Sequence, residues 1–176
     1  MLKKHLSFLL VLSVASVASV SFANTVERTD PVNFAKLSVG PRVVVPEGLG
    51  VSVGVDAPVT NYLAVGGEVS FTGNLPRGSE PFKPVLRLNV SAKPRLVYND
   101  RFETYVRAQV GPAFQFDSSD PGMNLGIDVA FMPGFQFSMT ESVGMFSEVG
   151  FGLTNFPRTG ETSYAGIFRS GVFFSF

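Results

Sequence analysis

The chain has 176 residues, no Cys and no Trp, and 14 acidic side chains matched by 14 Lys plus Arg. That length suits a single domain, the missing cysteines exclude a disulfide scaffold, and the balanced charge gives no footing for nucleic acid. The one histidine is His5, so residues 24–176 contain neither His nor Cys, the usual ligands of a zinc site.

Lys3, Lys4 and His5 precede an apolar run from Leu6 to Val20, and Ser21 and Ala23 hold the small-residue positions of a cleavage site. This is the anatomy of a cleavable secretory signal peptide over residues 1–23. The run is short for a membrane helix, and no stop-transfer charge cluster follows it. Removing Lys3 and Lys4 leaves 14 − 2 = 12 cationic side chains against 14 acidic ones, a formal charge of −2 for residues 24–176. Residues 24–33, with Glu27, Arg28 and Asp30, form a polar leader to the domain that spans 24–176.

From there the chain alternates with a period of two, the signature of strands. The first strand, 34–45, sets Leu37, Val39, Pro41, Val43 and Val45 against Lys36, Ser38, Gly40, Arg42 and Val44. A Pro46-Glu47-Gly48 turn reverses it into a second strand, with Leu49, Val51, Val53 and Val55 opposite Gly50, Ser52, Gly54 and Asp56. The third opposes Leu63, Val65, Gly67, Val69 and Phe71 to Ala64, Gly66, Glu68, Ser70 and Thr72. After a loop from Gly73 to Lys83, the fourth runs from Leu86 to Tyr98 with Arg87, Asn89, Ser91, Lys93 and Arg95 on its polar face. The turn Asn99-Asp100-Arg101 leads to a fifth strand carrying Glu103, Tyr105, Arg107 and Gln109 opposite Val106, Ala108, Val110 and Phe114.

A Ser/Asp/Pro/Gly loop, 117–123, precedes the sixth strand, where Leu125, Ile127, Val129, Phe131, Phe135 and Phe137 oppose Asp128 and Gln136. The seventh places Glu148 opposite Val149 and Phe151, and a loop from Asn155 to Thr162 leads to the last. That closing strand, Tyr164 to Phe176, alternates Phe168, Val172, Phe174 and Phe176 with Arg169 and small residues. The count is eight.

All twelve charges within these strands fall on one face: Lys36, Arg42, Asp56, Glu68, Arg87, Lys93, Arg95, Glu103, Arg107, Asp128, Glu148 and Arg169. A soluble barrel would place its polar residues outward. Here the apolar face is the one that keeps its phase from strand to strand. A Lys or Arg set against hydrocarbon at mid-membrane costs roughly 2–4 kcal/mol, and a slip of one residue would put these charges there. The expected arrangement is therefore inside-out, with charge in the middle and apolar residues around it.

The closing Phe168-to-Phe176 pattern, the Gly111-Pro112-Ala113-Phe114 stretch and the Ser147-to-Gly152 segment around Glu148 resemble the small OmpA/OmpX-type outer-membrane barrels of Gram-negative bacteria. The resemblance implies an all-β, eight-stranded, antiparallel up-and-down transmembrane β-barrel, exported behind a signal peptide to the outer membrane, with residues 24–33 as a periplasmic leader. It implies that Phe168, Val172, Phe174 and Phe176 act as the signal read by the barrel-assembly machinery. The partners it implies are outer-membrane lipid and that machinery, with no cofactor, no named ligand for the surface loops, and a monomeric barrel.

With both termini on the periplasmic side, the connections after strands three, five and seven should be long and those after two, four and six short. The Pro46-to-Gly48 turn is then a short exception. Aromatic residues should gather in two girdles, one with Phe34, Tyr62, Tyr98, Phe102, Phe137, Phe174 and Phe176, the other with Phe71, Phe114, Phe116, Phe156 and Tyr164. Pro41, Pro94, Pro112 and Pro133 lie inside strands, where each removes a ladder donor; bulges are the expected remedy.

The inward charges are the candidate functional residues. An eight-stranded barrel has an interior that side chains fill, so Arg42, Glu68, Arg87, Arg107, Asp128, Glu148 and Arg169 should form a paired network, structural or gating, across the lumen. The structural role is preferred because little free cross-section remains. Barrel enzymes of similar size depend on a His that residues 24–176 lack, so catalysis is not expected. Asp117, Ser118, Ser119 and Asp120 lack the regular spacing of a calcium loop, and the glycine pairs lie on strands rather than before helices, which excludes a phosphate cradle. Three functions follow: a structural or surface-interaction protein, a narrow ion or solute channel, or a secreted soluble barrel that binds lipid.

Overall fold

A computed structural model describes residues 34–73, 82–98, 101–116 and 122–176. The signal peptide, the leader and the Asp117–Asp120 group lie outside the described residues. Eight strands follow in chain order: β1 (Lys36–Val45), β2 (Gly48–Thr60), β3 (Leu63–Gly73), β4 (Val85–Tyr98), β5 (Phe102–Phe116), β6 (Met123–Ser138), β7 (Val143–Phe156) and β8 (Glu161–Ser175). Each pairs antiparallel with the next, and β1 pairs with β8, so the sheet closes on itself and leaves no free edge. The register Lys36↔Ser175 and the bond from the Phe176 amide to the Ala35 carbonyl (3.1 Å) hold both ends of the barrel chain at one rim, here the terminal rim. The opposite rim is the distal one.

Closure in this phase follows from the side chains. All twelve strand charges named above point into the barrel and are buried, none more than 7% exposed. Val90, Leu96, Ile127, Val149 and Phe151 are each more than half exposed on the outer wall. A one-residue slip in any strand would exchange the two sets.

The turns use local chemistry. Pro46 and Glu47 join β1 to β2, and Gly48 takes a φ of 137°, a region closed to most side chains. Thr140 Oγ1 accepts from the amides of Ser142 (3.3 Å) and Val143 (3.0 Å) to tighten the β6–β7 turn. The connection from β7 to β8 departs from the expected long loop. Pairing continues through Asn155↔Thr162 and Phe156↔Glu161, leaving only residues 157–160 between the strands. The Asn155 side chain donates to Thr162 Oγ1 at 2.7 Å, and Gly160 closes the turn at φ 70°. Polar side chains read as loop residues thus serve as the last rungs of a ladder.

Pro41, Pro94, Pro112 and Pro133 are accommodated by lapses in one ladder without a change of register across the lapse. The β1–β8 ladder runs through Val39↔Val172, lapses at Pro41, and resumes at Arg42↔Arg169 in unchanged register. Pro112 sits in a lapse between Arg87↔Ala113 and Val90↔Val110, Pro94 between Ala92↔Ala108 and Arg95↔Tyr105, and Pro133 between Phe131↔Phe151 and Gly134↔Glu148. On its other side each proline stays in register, as in Pro41↔Val51 and Val106↔Pro133. A proline lacks one donor, so one ladder suffers while the other is untouched. The two shifts of register lie close to the terminal rim, one between Thr60 and a fifth strand proline, Pro58, the other between Arg95 and Val97, just beyond Pro94.

Phe102 and Phe137 pair across β5 and β6, and Phe174 lies opposite Leu37 and Val143 at the same rim, as expected of one girdle. Phe156 departs from the other girdle. It is 3% exposed and packs inside with Val85 and Ala113, because it follows Asn155 on the inward parity of β7.

Candidate functional site

Alternation carries the charged side chains inward from all eight strands, and the lumen is too narrow for them to avoid one another. They meet in three storeys.

The central storey is built on Arg107, which is fully buried. Its Nη1 and Nη2 donate to the two oxygens of Asp56 at 2.9 and 2.5 Å, and its Nε donates to Glu148 Oε1 at 2.9 Å. Glu148 also accepts from the Tyr105 hydroxyl (2.8 Å) and from Arg169 Nη1 (3.1 Å). Arg169 reaches Glu68 Oε2 at 3.3 Å and donates to the hydroxyls of Ser52 (2.5 Å) and Ser38 (2.8 Å), with its guanidinium 4.5 Å from the Phe146 ring centre. Glu68 in turn pairs with Arg42 and accepts from Gln109 Nε2 at 3.1 Å. Charge alternates along the chain Asp56–Arg107–Glu148–Arg169–Glu68–Arg42. The guanidinium forks of Arg107 and Arg169 each have more than one acceptor, the condition under which a buried ion pair repays its desolvation, whereas Arg42 reaches Glu68 alone.

The distal storey is separate. Arg87 donates through Nε to Asp128 Oδ1 (3.1 Å) and through Nη1 to Thr72 Oγ1 (2.6 Å), and it pairs with Glu47. Asp128 accepts further bonds from Asn89 (2.8 Å) and Thr154 (2.7 Å). The terminal storey gathers three cations on one carboxylate: Lys36 at 2.7 Å, Lys93 at 3.1 Å and Arg95 at 3.4 Å from Glu103. Aromatic faces share the surplus positive charge, with Lys93 Nζ 3.9 Å from the Tyr105 ring centre and Lys36 Nζ 5.1 Å from that of Phe173.

Of the seven residues expected to form the network, Arg42, Glu68, Arg107, Glu148 and Arg169 are joined in one cluster, and Arg87 and Asp128 form another. The expectation left out Asp56, the bidentate partner of Arg107, and the group around Glu103. Both carry the inward parity that would have revealed them. It also left out Glu47, for which no periodic signal exists, since that residue sits in a turn. Phe168, Val172 and Phe174 lie exposed on the outer wall, in step with one another along β8, and Phe176 follows that strand at the terminal rim.

No family model matches the chain, and no curated protein sequence matches it. Solved structures do. Neisserial surface protein A superposes with a TM-score of 0.62 at 12% identity, over 81% of this chain and 96% of that one. Ail, the attachment invasion locus protein of Yersinia pestis, gives 0.56 at 14% identity, over 81% of this chain and 97% of that one. The N-terminal β-barrel domain of Pseudomonas aeruginosa OprF gives 0.54 at 14% identity, over 82% and 98%. At such identities the likeness establishes the fold, a closed eight-stranded antiparallel barrel of the small outer-membrane type.

Proposed function

We propose that this chain, with the fold of the small outer-membrane barrels, is an integral outer-membrane protein of structural or surface-interaction role whose lumen is closed by its ion-pair network. One observation carries the proposal: the twelve charges from Lys36 to Arg169 named above are buried in the lumen, and the one further strand charge, Glu161, lies at the distal rim, while large apolar side chains stand exposed around the outside. In water that wall would be an aggregation surface far larger than soluble monomers tolerate. In hydrocarbon it is the solvated face, and only a closed barrel satisfies the backbone there. The same polarity counts against a secreted soluble barrel that binds lipid inside, because the interior is ionic.

The network counts against a conducting pore. Arg107, Glu148 and Arg169 come from β5, β7 and β8, and Asp56 and Glu68 reach them from β2 and β3, so the central storey crosses the lumen from wall to wall. Residues 1–23 serve as the export signal in this reading, and Phe168, Val172, Phe174 and Phe176 present the assembly signal. Ail has been crystallised with the heparin analogue sucrose octasulfate, a precedent for a barrel of this fold taking a ligand.

Cell fractionation and gel mobility test the reading together. The protein should stay in the outer-membrane pellet and migrate faster unheated than boiled. Purified protein in planar bilayers should give flat traces. A soluble fraction with no heat-dependent shift would defeat the proposal, and steady conductance steps would defeat the closed lumen.

A further inference from the structure

Among the described residues, the seam between β4 and β5 is interrupted more than any other in the barrel. Its ladder lapses twice, at Leu88-Asn89 opposite Gly111-Pro112 and at Lys93-Pro94 opposite Val106-Arg107, and its register shifts between Arg95 and Val97. The β1–β8 and β6–β7 ladders lapse once each, while β3–β4 and β5–β6, on either side of this seam, run without a break. Between the two lapses only Val90↔Val110, Ser91↔Gln109 and Ala92↔Ala108 remain paired. Successive residues of an antiparallel strand turn their amides to opposite neighbours. On β5 the even-numbered set faces β4, since the Phe116 amide donates to the Pro84 carbonyl at 2.9 Å, so Pro112 takes its missing donor from this seam alone. Pro94 takes a second donor from the opposite strand, because the amide of Arg95 beside it points the other way, to the Tyr62 carbonyl at 2.8 Å.

Inside the barrel, side chains cross the seam where the backbone does not. At the first lapse Gly111 leaves the way clear, and Asn89 and Arg87 of β4 reach past β5 to Asp128 on β6, at 2.8 and 3.1 Å. At the second, Arg107 donates to Ser91 Oγ at 3.1 Å, and Lys93 and Arg95 of β4 grip Glu103 of β5 at 3.1 and 3.4 Å. We propose that β4–β5 is the seam at which this barrel opens laterally, and that Asp128 and Glu103 are the clasps that hold it shut from within. Strands part first where the fewest backbone bonds must break together, and the unbroken ladders on both sides let β4 and β5 separate as edges of two intact sheets. Each clasp takes its cations from β4 and its carboxylate from the other side of the gap. The terminal storey thus has a task beyond filling the lumen.

Hydrogen–deuterium exchange of the folded protein in detergent micelles, read by amide NMR, tests the proposal within single strands. The amides of Val90, Ala92, Ala108 and Val110 face the seam, whereas those of Asn89, Ser91, Arg107 and Gln109 alternate with them and face β3 or β6. In the unaltered chain the seam-facing set should be protected at least about tenfold less than the alternate set, the effect of one or two missing hydrogen bonds. Glu103→Gln and Asp128→Asn keep the shape of each clasp and remove its charge; each should lower seam-facing protection about tenfold further and leave the alternate set in place. Pro94→Val combined with Pro112→Val returns both donors, strands no charge, and should raise the seam-facing set to the level of the alternate one. The proposal is overturned if the two sets are equally protected in the unaltered chain. It is also overturned if the clasp variants move both sets together, as a general loss of stability would, or move neither. Should a clasp variant not fold, the double proline variant decides, and unchanged seam-facing protection there overturns the proposal as well.

Discussion

Replacing Arg107 by Met isolates what the central storey contributes. Arg107 donates four side-chain hydrogen bonds: two to Asp56, one to Glu148 and one to Ser91 at 3.1 Å. Without it Glu148 keeps Arg169 and Tyr105, but Asp56 keeps only Lys93 at 3.9 Å. The penalty therefore falls on one buried carboxylate. A pair exposed to water would cost about 0–1 kcal/mol to break, whereas removing one partner of a buried pair costs about 3–5 kcal/mol. The larger range applies, since both side chains are nearly inaccessible. The double variant Arg107→Met with Asp56→Asn removes the stranded charge and should recover about 1–3 kcal/mol of that loss. Equilibrium unfolding in urea, followed by circular dichroism of the strand signal in lipid vesicles, measures both numbers; the chain has no Trp to report by fluorescence. A loss below about 1 kcal/mol for the single variant would refute the argument, as would a double variant no more stable than the single.

Three other outcomes follow from the same structure. Phe151→Arg places a cation on the outer wall at a position 66% exposed, and should destabilise the barrel in vesicles by roughly 2–4 kcal/mol, where a water-facing wall would tolerate it. Gly48→Ala forces a side chain into a φ of 137° and should cost about 1–3 kcal/mol in the same unfolding assay, without altering the gel shift of the folded fraction. Phe176→Ser should leave refolding in detergent intact while reducing the amount assembled in the outer membrane of cells; equal assembly would remove Phe176 from the assembly signal.

Most of the wall was legible because period two is local information. Each residue's face follows from its parity, and Arg42, Glu68 and Arg169 needed nothing more to be placed inside. Which charges meet was not legible, because partners such as Asp56 and Arg107 lie 51 positions apart and are brought together only by the shear of the closed sheet. The β7–β8 turn was misread because Asn155 and Thr162 have loop-like composition, yet across a hairpin they form a cross-strand hydrogen-bonded pair. Phe156 was assigned by its proximity to a strand end, when its parity already placed it inside. The prolines were legible as a difficulty and not as a solution, since a lapse confined to one ladder depends on the neighbouring strand.

The network also answers a question that polarity leaves open. A slip of one residue between strands exchanges inside for outside and is forbidden by every charge in the barrel. A slip of two residues is not, because it returns the outward set, in which Val, Leu, Ile and Phe predominate, to the outer wall, and hydrocarbon does not distinguish among those four. Only contacts with a fixed address along the axis can reject it. Arg107 provides one, since moving β5 by two residues against its neighbours shifts the guanidinium by roughly 6–7 Å along the strand. That is well beyond the 2.5–3.1 Å bonds it makes to Asp56, Ser91 and Glu148 on β2, β4 and β7. Ionic groups that contribute modestly to stability over a well-packed apolar core can thus still single out one register among the even-numbered alternatives.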